Sequence, residues 1–501
     1  MWLARVERWG RDWWVGALLL LNTLVRGWNL FGYPVFMEDE GTYVSQAMAI
    51  LAHGQLAYYT YWYDHAPFGW ILLAGWQLLT EWSPLMQELS YIEGARILMV
   101  GVSTLSLWLI IRILRELEVH DLIVKVMAGW LIFSPLAGYY QRIVFLDNLM
   151  VCWVLVSVYL LLKAKSGKRI LGSAVTFALA ILTKETAVFF APLLLLLLRQ
   201  KSARLSHSFF IPLWLTTGAV VLGQYAVFAL LKGEFFPSDS WLGSPGQVSL
   251  LDAVLFQNDR GEAFWRAGSA LRHSLSVSWL RLDPLLIILG SGSVLANLVT
   301  FRRSGTWYFG WWFGAGYIFY LLKWQALDWY VIPLIPIFGI SLALLLQTLV
   351  QHVRTWLTGF ALLGIITVGT GVSVVANTQI YTQEMTRTQD QAIQWAKDNV
   401  KAEDFVVIDN YAFLELNDPA KQIEDFQYHY FWKVEQDPDV RYELLAGQVE
   451  NIDYLIMTEA MRDAFGKYDF PFLNEYVEQA RVVKDFSGDY PVTVYALVTP
   501  V

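Results

Sequence analysis

Three adjacent acids, Glu38, Asp39 and Glu40, stand in the stretch FMEDEGTYVSQA, just past the first apolar run. Like charges disfavour ionising together, so a carboxylate in such a group gains proton affinity. A group of that kind can take the proton of an attacking hydroxyl, and Asp39 is the candidate base. Glu38 and Glu40 read equally well as solvated or helix-capping acids. Four more clusters place ionisable groups at the ends of apolar runs. In YDHAPFGW, Asp64 and His65 precede the rigid Pro67 and read as substrate-positioning or phosphate-contacting groups, or as a plain turn. In YYQRIVFLDNLM, Arg142 offers a planar phosphate ligand and Asp147 a carboxylate that could equally cap the next helix. In ILTKETAVFF, Lys184 offers a compact positive charge to a leaving phosphate, unless the Lys-Glu pair merely ends two helices. In LLKWQALDWYVIPLIP, Lys323 and Tyr330 suit an interfacial anchor as well as a binding site.

The elements that would position these groups are membrane helices. Of the 501 residues, 56% are apolar and only 16% charged, against about 25% in soluble domains. Aromatic residues are abundant, as at membrane interfaces. The net charge of -8 comes with no basic stripe, so nucleic acid is not an expected partner. The lone Cys152 excludes an intrachain disulfide and a multi-cysteine metal site. The basic, aromatic N-terminus shows no small-residue cleavage site and reads as an uncleaved first membrane helix.

Spans are expected near 13–30, 93–114, 122–136, 147–162, 170–182, 187–198, 209–231, 284–300, 307–322, 330–350 and 356–376. With about eleven spans, the short connections rich in Lys and Arg, among them Arg204, Arg302, Arg303 and Arg354, fall on one side, which is cytoplasmic. The N-terminus is then cytoplasmic. The polar clusters and the C-terminal segment face outward across the cell membrane. Ionisable groups at membrane depth cost roughly 2.5–3.5 kcal/mol each on insertion scales, so a gathering of them points to function. The first external loop, 31–92, offers two amphipathic helices, GTYVSQAMAILAHG and PFGWILLAGWQLL. A later loop, 232–283, carries Arg260, Arg266 and Arg272, and its stretch EAFWRAGSALRHSLSVSWL reads as a helix that gates a cavity or holds an acceptor. From about residue 385 charge returns. TQDQAIQWAKDNV reads as a helix and DFVVID, IDYLIM, RVVKDF and PVTVYALV as strands, with FQYHYFWKVEQDPDV a turn-rich aromatic connection. The expected fold is mainly α: a polytopic membrane domain, 1–384, carrying the acidic loop, and a small extracytoplasmic α/β domain, 385–501.

Together these motifs resemble the GT-C glycosyltransferases, in particular the protein-mannosyltransferase-like family (glycosyltransferase family 39), which includes the aminoarabinose transferases that modify lipid A. The stretch EDEGTYVSQA is similar to the family's acidic loop motif, ARILMV to its Arg-bearing second span and QRIVFLDNLMV to its Arg…Asp pattern. LTKETAVFFAP resembles its Leu-Thr-Lys hinge and KWQALDWYVIPLIP its late Lys…Tyr-x-x-Pro motif. YDHAPFGWILLA resembles its Lys/His-Pro-Pro segment with one departure: the double proline is replaced by Ala66-Pro67, with His65 ahead of it. The resemblance covers roughly residues 10–350 and implies Asp39 as base and Asp147 as the second acid of the catalytic pair. Glu40, His65, Arg142, Lys184, Lys323 and Tyr330 are the implied substrate-binding residues, the cations and Tyr330 about the phosphate.

The implied activity is inverting transfer of a sugar from a polyprenyl-phosphate donor to a hydroxyl of a protein, lipid or glycan on the outer face. No cofactor is implied, and although the acids near Asp39 could hold a divalent metal, no typical ligand spacing is present. Competing readings are a polysaccharide ligase or polymerase, a lipid-linked glycan transporter, which should show inverted repeats and mid-membrane charges, and a catalytically silent scaffold.

Overall fold

The computed structural model describes residues 2–56, 65–84, 86–202, 207–237, 240–242, 249–259, 263–266, 268–300, 307–324, 326–352, 356–421 and 425–497. Asp64, Arg204, Arg260, Arg302, Arg303 and Arg354, singled out above, lie outside them. The chain is mainly helical. In order the principal helices are α1 (Trp2–Gly27), α2 (Glu38–His53), α3 (Phe68–Glu81), α4 (Tyr91–Glu116), α5 (Asp121–Phe133), α6 (Leu146–Leu162), α7 (Gly167–Thr183) and α8 (Ala191–Ser202). They continue with α9 (His207–Lys232), α10 (Leu250–Asp259), α11 (Pro284–Thr300), α12 (Trp307–Lys323), α13 (Leu334–His352), α14 (Trp356–Ala376) and α15 (Arg387–Asn399). The strands β1 (Val406–Ile408), β2 (Tyr428–Tyr430), β3 (Tyr454–Met457), β4 (Ala480–Phe486) and β5 (Val492–Leu497) follow.

Every stretch expected to span a membrane is helical. Among the described residues, three helical stretches, Tyr91–Glu116, His207–Lys232 and Asp328–Gln351, are long and apolar enough to cross by themselves. A bent pair, Ala270–Leu282 with Pro284–Val299, makes a fourth if it is one span. Most of the others fall short of the roughly 20 residues a full crossing needs, α6 and α7 at 17 and α8 at 12, whereas α1 has 26 and α14 21. The expected helix over 262–280 is helical from Ala270 and passes into a π turn, Ser274–Trp279, leaving Arg266 outside it.

The chain divides into two compact units. The first comprises Met1–Trp28, Trp62–Gly69 and Met99–Thr378. Its interior is apolar and aromatic, and it contains a break that matters for chemistry. Helix α7 ends where Lys184 turns to an extended conformation (φ -155°, ψ 126°), and a 3₁₀ turn, Glu185–Phe190, leads into α8. Pro192 in the first turn of α8 suits such a restart, since its missing N–H would have no helical partner there.

The second unit comprises Asn29–Tyr61, Trp70–Leu98 and Gln379–Val501, so the acidic loop shares a unit with the C-terminal segment. Its sheet has the order β2-β1-β3-β5-β4. Strand β1 lies parallel to β2 and β3, and β5 antiparallel to β3 and β4. All three residues of β1 are buried, as expected for a strand covered on both faces. Helix α2 starts with three acids in its first turn, which complement the N-terminal end of the helix dipole. It stops at Gly54, whose φ of 67° forms a left-handed cap and whose N–H reaches Ile50 O at 3.0 Å.

Candidate active site

In the first unit the structure brings Asp147, Lys184 and Tyr330 together. Asp147 lies in the first turn of α6 and Lys184 at the break after α7, and both are fully buried. Lys184 Nζ donates to Asp147 Oδ2 at 2.6 Å and sits 4.7 Å above the Tyr330 ring. Tyr330 belongs to a 3₁₀ turn, Asp328–Val331, held by the Tyr317 hydroxyl donating to its carbonyl at 3.0 Å. Next to it Trp329 stacks on Phe145, the residue that caps α6, with centroids 5.0 Å apart. The pairing is chemically incomplete on the acid side: Asp147 Oδ1 is buried with no hydrogen-bond partner among the described residues. Taking such charges out of water costs several kcal/mol each, and a pair held with one oxygen unserved is a poor stabiliser. On the base side, an ammonium has three protons to donate and Asp147 takes one.

Arg142 is also buried, and it donates through Nη2 to Val25 O of α1 at 2.8 Å. Lys323, the last residue of α12, is exposed, with its ammonium 4.4 Å from the Trp324 ring centroid. His65 is held from the 3₁₀ turn after Lys184: its Nδ1 lies 3.3 Å from Glu185 Oε2. The same segment approaches the two helix ends that carry the buried pair. A Cβ on Gly69 would lie 2.6 Å from Leu146 Cδ2 and 3.2 Å from Thr183 Cγ2, so any larger residue would displace those side chains. Leu146 and Thr183 are the residues immediately before Asp147 and Lys184.

In the second unit the acidic motif is set by one arginine. Arg96 and Glu40 are both fully buried. Arg96 donates from Nε to Glu40 Oε1 at 2.9 Å and from Nη2 to Glu40 Oε2 at 2.6 Å. Its other donors reach Leu30 O at 3.2 Å, Pro34 O at 3.0 Å and Val35 O at 2.8 Å. Glu40 Oε2 also accepts the Met37 N–H at 3.0 Å, closing the start of α2. The central acid of the triplet, Asp39, is half-buried, and the Tyr43 hydroxyl reaches its Oδ2 at 3.4 Å.

The C-terminal segment completes this surround. The Tyr430 hydroxyl of β2 donates to Glu38 Oε1. Burial first, then the Asp409 and Asp39 carboxylates, push the Glu38 carboxyl well above its usual range, against a hydrogen bond with Trp432 that pulls it down. Asp409 itself, buried after β1, is raised to about 6 by desolvation, with the Thr458 hydroxyl bonding its Oδ2 at 2.7 Å. Asn410 Nδ2 donates to Thr42 Oγ1 at 2.6 Å. A Cβ on Gly41 would fall 2.1 Å from the Asn410 carbonyl oxygen, so the motif's glycine is the contact point between α2 and the segment after β1.

Arg96 was within reach of sequence reasoning, which noted it in ARILMV without giving it a partner. Glu185 stood beside Lys184, where a helix-ending turn accounted for it. Asp409 and Tyr430 carried no motif signal. Among the described residues no group of three His, Cys, Asp or Glu side chains is spaced to hold a metal ion.

Comparison with known proteins bears on the fold. The family model of dolichyl-phosphate-mannose-protein mannosyltransferases matches residues 64–227. No curated protein matches the sequence significantly. Among solved structures, ArnT from Cupriavidus metallidurans, bound to undecaprenyl phosphate, superposes with a TM-score of 0.59 at 13% identity, over 98% of each chain. The oligosaccharyltransferase AglB of Archaeoglobus fulgidus, in complex with an inhibitory peptide and a dolichol-phosphate, gives 0.54 at 11% identity over 98% of this chain and 75% of that one. The same archaeal enzyme tethered to an acceptor peptide gives 0.53, also at 11% identity and with the same coverage. The chain has the GT-C fold, which its sequence motifs over roughly residues 10–350 implied.

Proposed function

We propose that this GT-C-fold chain is an inverting glycosyltransferase, moving a sugar from a polyprenyl-phosphate donor to a hydroxyl acceptor on a protein, lipid or glycan. The buried Lys184–Asp147 pair carries this reading. Two ionisable groups sit at a break between apolar helices, where burial is expensive, and one carboxylate oxygen has no partner among the described residues. A fold that keeps such an arrangement holds it for a ligand. The fold likeness to proteins bound to undecaprenyl phosphate and dolichol-phosphate supports a lipid phosphate as that ligand.

In the proposed reaction the acceptor oxygen attacks the anomeric carbon and gives its proton to the Asp39 carboxylate. The bond from that carbon to the phosphate oxygen breaks from the opposite face, and its electron pair leaves with the phosphate. Lys184 stabilises the departing anion, with Asp147 holding the ammonium in place and Tyr330 beneath it. Arg142, His65 and Lys323 are the further contributors to donor binding. Glu40 acts through Arg96 by fixing the start of α2, and so the position of Asp39.

The proposed topology is a multi-pass membrane protein with about eleven spans and a cytoplasmic N-terminus. The acidic loop and residues 385–501 lie outside, the latter as a soluble domain attached to a transferase of residues 1–384. A lipid-glycan transporter is less well supported, since the charged clusters gather at helix ends.

The test is turnover and binding in purified, folded protein. Asp39→Asn abolishes sugar transfer, and Lys184→Ala weakens lipid-phosphate binding. Full turnover by Asp39→Asn, with extraction and thermal midpoint unchanged, removes Asp39 as the base. Mass spectrometry of lipid-linked sugars in cells lacking the protein identifies the donor that accumulates.

A further inference from the structure

The fold deals unequally with the three acids that open α2. Glu40 is occupied by Arg96, which donates to both of its oxygens. Asp39 is half-buried, with the Tyr43 hydroxyl 3.4 Å from Oδ2. Glu38 is turned toward the C-terminal segment. Residues four apart share a helix face, and Thr42 Oγ1 both donates to the Glu38 carbonyl at 3.2 Å and accepts from Asn410 Nδ2 at 2.6 Å. The Tyr411 ring stacks on Phe36, with centroids 6.4 Å apart. Strand β2 adds the Tyr430 hydroxyl, which donates to Glu38 Oε1. Asp409 stands at the head of the segment after β1, and its carboxylate is the largest charge acting on Glu38. Asp409 is itself only half served. The Thr458 hydroxyl reaches Oδ2 at 2.7 Å, whereas Oδ1 is buried with no hydrogen bond of full geometry among the described residues.

A buried carboxylate oxygen without a donor is costly, and two acids sharing a buried place hold a proton between them rather than ionise together. We infer that Asp409 is a positioning residue for the transfer reaction: it keeps a proton on Glu38, so that Asp39 is the acid of the triplet left charged to receive the proton of the acceptor hydroxyl. With Glu40 paired to Arg96 and Glu38 protonated, free negative charge at the start of α2 is confined to Asp39. Both carboxyls are displaced in the sense this requires. Glu38 is pushed well above its usual range by burial, Asp409 and Asp39. Asp409 is raised to about 6 by burial, against the Thr458 hydroxyl and the Asn410 and Tyr411 N–H groups. Around Asp409 stand also the Tyr411 and Tyr490 phenols, both pushed up by burial and then by Asp409, with Asp390 of α15 and Glu459 acting on them in turn. The inference rests on the reading of Asp39 as the base.

Asp409→Asn keeps an acceptor for Thr458 and removes the charge. Glu38 then ionises at lower pH, and the negative charge moves next to Asp39. In the full-length protein, with membranes of cells lacking it as the source of donor and acceptor, the acid limb of the pH–rate profile rises by about one pH unit. Simple loss of a nearby negative charge gives the opposite sign, and a purely structural role lowers the rate without moving the limb. Glu38→Gln leaves the limb in place, and added to Asp409→Asn it brings the limb back. An acid limb that stays or falls in Asp409→Asn, or that Glu38→Gln does not restore, overturns the inference. A second readout needs no substrate. A carboxyl raised in the folded state gives stability that fades as pH rises through its folded value. From pH 5 to pH 8 the thermal midpoint of the parent therefore falls relative to Glu38→Gln, by about 3–5 °C per pH unit of displacement. In the Asp409→Asn background that fall shrinks by at least half, and an undiminished fall refutes the hold of Asp409 on the proton. If Asp39→Asn turns over fully, the base reading fails and the catalytic role of Asp409 with it, while the thermal comparison still decides where the proton is held.

Discussion

Replacing Arg96 by methionine should unfold the second unit at markedly lower temperature. The guanidinium places all five of its N–H donors, two on Glu40 and three on the carbonyls of Leu30, Pro34 and Val35. Methionine fills much of the volume and supplies no donor. It leaves the Glu40 carboxylate fully buried without its counter-charge, and breaking a buried pair in this way costs about 3–5 kcal/mol. At roughly 2–4 °C per kcal/mol for a unit of this size, the midpoint falls by about 6–20 °C. Lysine in place of arginine does little better, because a point ammonium cannot serve a bidentate carboxylate and three carbonyls at once. The assay is thermal denaturation of the purified protein, with limited proteolysis of the C-terminal segment as a local probe. Adding Glu40→Leu to Arg96→Met removes the stranded charge and recovers part of the loss, so the double-mutant cycle shows coupling above about 1.5 kcal/mol. A loss below about 1 kcal/mol in the single variant, or strict additivity in the cycle, refutes the reasoning.

Gly41→Ala destabilises the same unit by about 1–3 kcal/mol, because its Cβ meets a backbone oxygen that cannot step aside, whereas Gly466→Ala, with open space around it in a helix, leaves stability unchanged or raises it; equal midpoints for the two would contradict the close approach. Burial holds the His429 imidazole down at about 4 from 6.5, so between those values the unfolded chain binds a proton that the folded one does not. Its contribution is complete above pH 6.5 and is lost as pH falls toward 4, by about 3 kcal/mol, while Asp409 and Asp390, raised to about 6, gain stability over the same fall. His429→Phe therefore recovers relative to the parent as pH drops, and denaturation midpoints that stay a constant distance apart from pH 7 to pH 4.5 would rule this out. Glu38 is held toward its protonated form, so Glu38→Gln retains sugar transfer within about tenfold, and a loss as deep as that of Asp39→Asn would show that Glu38 must ionise.

Much of the helical frame was legible because long apolar runs leave few alternatives, and the strand pattern of VVI, YLIM, ARVVKDF and VTVYAL is equally plain. Strand β2 was not, because Tyr428, His429 and Tyr430 read as an aromatic turn and become a strand only by pairing with β1. At the candidate site, the sequence pointed to Asp147, Lys184 and Tyr330 through charges at helix ends, and the fold gathers them. What it concealed were partnerships between distant residues of opposite charge. Arg96 lies 56 positions from Glu40 and Glu185 lies 120 from His65, and neither spacing follows from a local rule. Glu40 illustrates the same gap: it reads as a substrate ligand beside Asp39, yet its carboxylate is spent on Arg96 and the Met37 N–H.

The stitching of the acidic loop to α15 bears on how the chain matures. The Phe36 N–H and carbonyl both bond the Gln389 side chain, at 2.8 and 2.9 Å, and Gly32 O accepts from Met385 N at 2.7 Å. Phe36 and Gln389 are 353 residues apart. At about 5–20 residues per second, the ribosome needs roughly 20–70 s to deliver the second partner after the first. During that interval helix α2 has no Gln389, Asn410 or Tyr430 to lean on. A chain that ends before Gln389 lacks every one of these partners, so the start of the helix that carries the proposed base, Asp39, is set only once residues 389–430 have been made.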